Sequence, residues 1–299
     1  MKTPTTNATV VAVDWSGRRT REERAIWMAV ATNAAVVRLE SGRTRETVMA
    51  ELRRIASSAT YDAPVVIGLD FSFSFPRWFA HEQRCTTVDM LWNLVAAEGE
   101  AWLRDSKPPF WGRPGCPRPD LPAHFRFTEQ AVQPVGGIRP KSTFQIGGAG
   151  SVGSGSIRGM ALLNHLRSAP CAIWPFDPPA PATAFELYPR WWTGPVVKSN
   201  RHARATYLQL RAPMPPHQSI DQRFVAQAID SEDAFDALVT ALSISASLAI
   251  SQTGLTNILF QPPQTPAGMS QEAFSRIVAI EGWIPAPPIN ASPEGPHIS

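Results

Sequence analysis

The order in which the hydrophobic period changes near the start of the chain constrains its fold more than any single motif. Residues 9–14 (TVVAVD) form a Val-rich apolar run, the mark of a buried strand. Residues 25–31 (AIWMAVA) and 34–39 (AAVVRL) follow after short breaks, and Thr32 and Asn33 between them suit a tight hairpin. In 44–57 (TRETVMAELRRIAS) the period lengthens. Val48, Leu52 and Ile55 recur three to four apart, which predicts an amphipathic helix capped by Thr44, with Glu46 favourably placed in its first turn. Residues 64–70 (PVVIGLD) return to a buried strand. Strand, strand, strand, helix, strand is a meander followed by a helical crossover. It calls for an α/β fold whose mixed sheet carries a helix on its face.

Beyond residue 85 the pattern is less regular. Residues 86–103 read as helix, and 105–140 are rich in Pro, Arg and aromatics with no period. With the Gly/Ser run 147–155 (GGAGSVGSG), they predict an irregular insertion over about 105–155. Further elements are expected at 157–167 (helix), 170–175 and 183–188 (strands), 200–211 and 219–229 (short helices) and 231–250 (a long helix). One domain is expected over 1–285, with a loosely held Pro-rich tail at 286–299.

Composition narrows the functional classes. A charged fraction of 18% and 10 Trp argue against a disordered chain, and 29 Pro against a helical bundle. The net charge of +3 is too small to imply a nucleic-acid partner by itself. Cys85, Cys116 and Cys171 are far apart and form no CxxC, so neither a zinc site nor a disulfide framework is expected. The start lacks the apolar core of a signal peptide, and the apolar stretch 234–250 contains Asp236 and several Ser. No membrane association is therefore expected, and the cytoplasm is the default location.

The chemistry concentrates in acids. Asp14 ends the first apolar run (VVAVDWSG) and Asp70 ends a later one (VVIGLDFSFSFP). Each is followed by an aromatic and then by Ser16 or Ser72. A carboxylate at the end of a buried strand is costly unless it is paired, bound to metal, or capping its own turn. In AFELYPRWW, alternation puts Phe185 and Leu187 on one side, and Glu186 and Tyr188 on the other, where a solvated face suffices to explain them. Asp233 and Asp236, three apart in SEDAFDALVTALSI, share a helical face. Capping by Ser231 and the helix dipole account for Asp233, but not for Asp236 among apolar neighbours. An oxygen-only set of this kind suits hard divalent cations, Mg²⁺ or Mn²⁺, which in pairs stabilise the attacking and leaving oxygens of a phosphodiester.

In the order VAVDWSG, VIGLDFSFSFP, KSTFQIGGAGSVGSGSIRG, FELYPRWW and EDAFDALVTAL, with EGWI at 281–284, the chain resembles the DUF429 family of predicted nucleases with an RNase H-like fold. The resemblance spans roughly 9–250 and implies an RNase H-like mixed sheet flanked by helices. By that match Asp14, Asp70 and Asp236 (or Asp233) would be metal ligands, with Glu186 an auxiliary acid. RNase H proper adds an acid on its first helix, for which Glu46 and Glu51 are the candidates.

Other segments allow two readings each. GGAGSVGSGSIRG lacks the P-loop pattern. Its backbone at Gly147 and Gly148, with Lys141 and Ser142 just before it, could cradle phosphate at a helix start, or the run could be a flexible linker. Phe110, Trp111, Phe125 and Phe127 interleave with Arg113, Arg118, Arg126 and Arg139. They form either a surface for stacked bases and phosphates or an aromatic-anchored loop packed on the core. Trp191 and Trp192 read as core or pocket wall, and His165 and His202 as surface or packing residues. The expected activity is a metal-dependent nuclease or phosphodiesterase acting on nucleic acid or a nucleotide. The rivals are an ATPase- or kinase-like relative and a non-catalytic binding module on the same fold. Binding of ATP separates the first rival, and absence of metal-dependent stabilisation the second.

Overall fold

The computed structural model describes residues 7–250 and 259–287. Its centre is one six-stranded mixed sheet. The first three strands, β1 (Thr9–Asp14), β2 (Trp27–Thr32) and β3 (Ala35–Glu40), form the antiparallel meander. Helix α1 (Arg45–Ala56) then crosses over, and β4 (Val65–Leu69) joins β1 in parallel. The two later strands, β5 (Cys171–Ile173) and β6 (Ala182–Glu186), complete the spatial order β3-β2-β1-β4-β6-β5. Both are shorter than the sequence suggests. The hairpin loop is one residue later than expected: Asn33 and Ala34 occupy it, with φ of 50° and 59°. Two left-handed residues give the twist that a two-residue hairpin needs, but alanine is strained there. Ala34→Gly is expected to stabilise the protein by about 1 kcal/mol in urea denaturation; an unchanged or lower midpoint would contradict that account.

Both faces of the sheet are covered. On β1, Val11 and Val13 face one apolar core and Val10 and Ala12 the other. The first core packs α1, α3 (Val88–Asp105) and α5 (Gly153–Arg167) through residues such as Leu52, Trp92 and Met160. The second packs α7 (Arg201–Arg211), α8 (Gln222–Asp230) and α9 (Glu232–Ile250) through Leu208, Phe224, Phe235 and Leu238. α9 is apolar enough in composition to cross a membrane, but most of it is buried within the fold. This explains its all-round hydrophobicity as that of a core helix.

The region 105–155 is anchored by its aromatics. Phe110 is buried and stacks on Trp102 with ring centroids 5.5 Å apart. Phe127, on the short helix α4 (Phe127–Ala131), packs against Phe274 and Trp283. Arg118 lies over Trp111 and Phe125. Arg139 is exposed, and Arg126 is wholly buried. Three more short or late helices complete the described part: α2 (Arg77–Glu82), α6 (Arg190–Thr193) and α10 (Gln271–Glu281). The Pro-rich tail expected from 286 lies, beyond residue 287, outside the described residues.

Candidate functional site

Strand alternation decides which acids meet. Asp14 follows Val10 and Ala12 on the same parity, so it points to the face covered by α9. Asp70 shares parity with Val66, which faces the same core. The β1–β4 register pairs Val13 with Leu69, and the Asp70 N–H donates to the Val13 carbonyl at 3.0 Å. Asp14 and Asp70 are therefore side by side at the ends of adjacent parallel strands, about 5 Å apart in the strand-to-strand direction. Each keeps a partial opening to solvent although protein surrounds it on most sides. The first turns of α9 complete the cluster. Ser231 Oγ accepts from the Ala234 N–H at 3.1 Å and caps the helix. Asp236 is buried one turn further in, and Asp233 is half-buried.

Lys198, in the loop after α6, was not anticipated. Its Nζ donates to Asp236 Oδ2. The other oxygen, Asp236 Oδ1, is buried and has no hydrogen-bond partner. One ammonium is too little for four carboxylates. Burial, then Asp70, Asp236 and Asp233, hold Asp14 well above the usual carboxylate range, with Lys198 pulling the other way. Burial pushes Asp70 up to about 7 and Asp236 up to about 6, each against the opposing pull of Lys198. Burial and Glu232 raise Asp233. For Lys198 itself, burial disfavours the charge, but Asp236, Asp14 and Asp70 outweigh it and keep the ammonium protonated.

Folded values of about 7 for Asp70 and about 6 for Asp236 exceed the unfolded carboxylate value near 4, so the folded protein binds the extra protons. Their contribution to stability is complete below about pH 4 and is lost as the pH rises through 6 and 7, the folded values of Asp236 and Asp70. The metal-free protein is expected to show a lower thermal midpoint at about pH 8 than at about pH 5. A midpoint that rises over that range would contradict the placement of these acids.

Glu186 lies elsewhere. It shares parity with Ala182 and Ala184, which face the α1/α3/α5 core, while Phe185 and Leu187 face the α9 side. The alternation is as expected, but the opposite face is a second core and not solvent. Glu186 is 3% exposed. Its carboxylate accepts both terminal nitrogens of Arg126, at 2.8 and 2.5 Å, and the Phe73 N–H at 3.0 Å. Arg126 Nε also donates to Glu129 Oε1 at 3.0 Å, and its Nη1 to the Glu281 carbonyl at 3.0 Å. Glu186 is thus occupied by a buried ion pair behind the sheet end. Of the two first-helix acids, Glu51 pairs with Arg38 and Arg54, and Glu46 is exposed.

No family model, no curated protein and no solved structure matches the chain.

The small and polar residues divide. Ser16 and Ser72 are buried beside the strand-end acids. Ser16 Oγ accepts from the Arg18 N–H at 3.2 Å, and the Ser72 N–H donates to Ser156 Oγ at 2.9 Å. The glycine-rich run supplies the first turn of α5, which starts at Gly153, four residues earlier than expected. That turn packs on the loop after Asp14: a Cβ on Gly17 would lie 2.5 Å from the Gly155 nitrogen. Gly147 abuts Gly112, where an added Cβ would meet the Gly112 carbonyl at 2.6 Å, and Gly148 is exposed. Ser142 is buried and donates to the His124 carbonyl, whereas Lys141 is exposed.

In donor chemistry and charge, Asp14, Asp70, Asp233 and Asp236 fit a hard divalent cation. The set is all oxygen, its four carboxylates face one Lys198 ammonium, and Asp236 keeps one buried oxygen without a partner. Among the described residues, however, no three Asp, Glu, His or Cys side chains converge into a ready-made metal cage. Lys198 stands in the cationic place.

Proposed function

We propose that this protein is a divalent-metal-dependent phosphodiester hydrolase acting on nucleic acid or a nucleotide, built on an RNase H-like sheet. The observation that carries the reading is the charge deficit at the strand ends: four clustered carboxylates, all with raised proton affinity, around one ammonium. The strand order β3-β2-β1-β4 with an antiparallel β2 supports the fold reading, as does the resemblance to the DUF429 family. Asp14, Asp70 and Asp236 would hold Mg²⁺ or Mn²⁺, with Asp233 at the flank. Bound there, the cations would lower the cost of negative charge on the attacking and leaving oxygens.

The chain's own residues do the remainder. The central strands β1 and β4 fix Asp14 and Asp70 at one end of the sheet. Arg126 pairs with Glu186 on the opposite face of the sheet. Lys198, released from Asp236, is placed to pair with phosphate oxygens. The overall reaction adds water across a P–O ester bond: the water oxygen joins phosphorus, and the leaving oxygen takes a proton.

The test is thermal unfolding of the wild-type protein during titration with Mn²⁺ and Mg²⁺, followed by cleavage assays on single- and double-stranded DNA and RNA. A ligand bound only by the folded state must raise the midpoint, by about 2.7 kcal/mol of stability at a hundred times Kd. Metal-dependent stabilisation together with cleavage supports the reading. Neither effect, with Lys198 still closing the site, would favour the non-catalytic binding module.

A further inference from the structure

A cavity of about 250 Å³ opens beside the loop that follows Asp14. None of the clustered acids lines it. Its walls bring four guanidinium groups together, from Arg19, Arg104, Arg113 and Arg158, against a single carboxylate, Glu100. Glu100 is spoken for: Arg158 grips it with Nε at 2.6 Å and Nη2 at 3.0 Å, and Arg158 also donates to the Gly17 carbonyl. Arg104 pairs with Asp105 at 2.9 Å. The guanidinium groups of Arg19 and Arg113 make no hydrogen bond or ion pair among the described residues. Two unpaired guanidiniums in one concavity are a site for an anion, and their planar fork suits phosphate oxygens. Ser154, in the first turn of α5, forms part of the wall and adds the favourable end of a helix dipole.

We infer that this cavity is a subsite for a phosphate group of the substrate, adjacent to the carboxylate cluster and separate from it. Gly17, on the cavity wall, is three residues from Asp14, which limits their Cα separation to about 10 Å. A strand crossing the acids would therefore pass within reach of the cavity. The identity of the phosphate carrier rests on the phosphodiesterase reading; the anion site itself does not. It also gives Arg113, in the irregular segment after α3, a role in gripping substrate.

The experiment measures binding without divalent metal, in EDTA, so that it stands apart from catalysis. Inorganic phosphate, a 5′-phosphorylated oligonucleotide and its 5′-hydroxyl counterpart are titrated calorimetrically into wild type, Arg113→Gln and Glu100→Gln. Arg113→Gln is expected to weaken phosphate binding about tenfold, the loss of one charge-assisted contact. It should also reduce the salt dependence of oligonucleotide binding by about one unit of log–log slope. Glu100→Gln removes the only carboxylate from the wall and is expected to tighten phosphate binding. Equal affinities in all three proteins would overturn the site. An oligonucleotide bound no more tightly than inorganic phosphate would overturn its role in seating substrate. Cleavage by wild type with an unchanged KM in Arg113→Gln would sink the subsite and leave the catalytic reading intact. Phosphate binding without any cleavage would do the reverse.

Discussion

Exchanging Asp14 for Asn is expected to abolish metal-dependent stabilisation and to cut cleavage by more than about a hundredfold, while the metal-free protein becomes more stable. The two effects have one cause. Asp14 sits beside Asp70 on adjacent parallel strands, and burial with three neighbouring acids makes its charge unfavourable. Asparagine keeps the shape and removes the charge, so like-charge repulsion falls and stability rises by on the order of 1 kcal/mol. The same change deletes a donor that a hard cation would need. Urea denaturation with and without Mn²⁺, on folded protein checked by circular dichroism, reads both effects. A metal shift that survives the exchange, or cleavage at the wild-type rate, would remove Asp14 from the site.

The largest loss of stability is expected from Arg126→Met, at about 3–5 kcal/mol, because breaking a buried pair leaves uncompensated charge. Arg126 is 0% exposed and bridges Glu186 and Glu129, both buried. Methionine fills much of the volume but strands two carboxylates. Adding Glu129→Gln and Glu186→Gln to Arg126→Met is expected to recover much of the loss, since neutral amides tolerate burial better than unpaired charges. If Arg126→Met costs less than about 1 kcal/mol, the guanidinium is not what holds this end of the sheet. At temperatures where the variant remains folded, metal binding at the acids should persist, because Glu186 faces away from α9.

The opening meander and crossover were legible because strand and helix periods differ and the segments are long. Asp14 and Asp70 stood out because apolar runs end on them. The meeting of Asp14 and Asp70 follows from parity and register, and their meeting with Asp236 from the packing of α9 on that face; neither pairing nor packing is written in the order of residues. The parity of Glu186 was also legible, but not what covered the far side of β6; that partner, Arg126, is sixty residues away. Lys198 sits in a loop with no period, so nothing in its surroundings marked it. Helix α10 did carry a signal: Ser270 followed by Phe274, Ile277 and Glu281 at helical spacing. Ser270 caps the helix, Phe274 is buried, and Glu281 faces inward.

That last residue has a temporal consequence. Glu281 Oε1 accepts from the Arg77 N–H at 2.7 Å, and its Oε2 from the Phe127 N–H at 2.6 Å, so one carboxylate caps both α2 and α4. The Ser74 hydroxyl donates to the Ile280 carbonyl, and the Ile284 N–H to Thr128 Oγ1 at 2.9 Å. These links span 154 to 206 positions along the chain. On a ribosome, the meander and its crossover helix can pair as soon as they emerge, whereas the segment around Arg126 must wait for nearly the whole polypeptide. Contacts of such long range form slowly. The end of the sheet that carries the acids is therefore clasped last in synthesis, and a chain stopped before residue 271 would be born with that clasp missing.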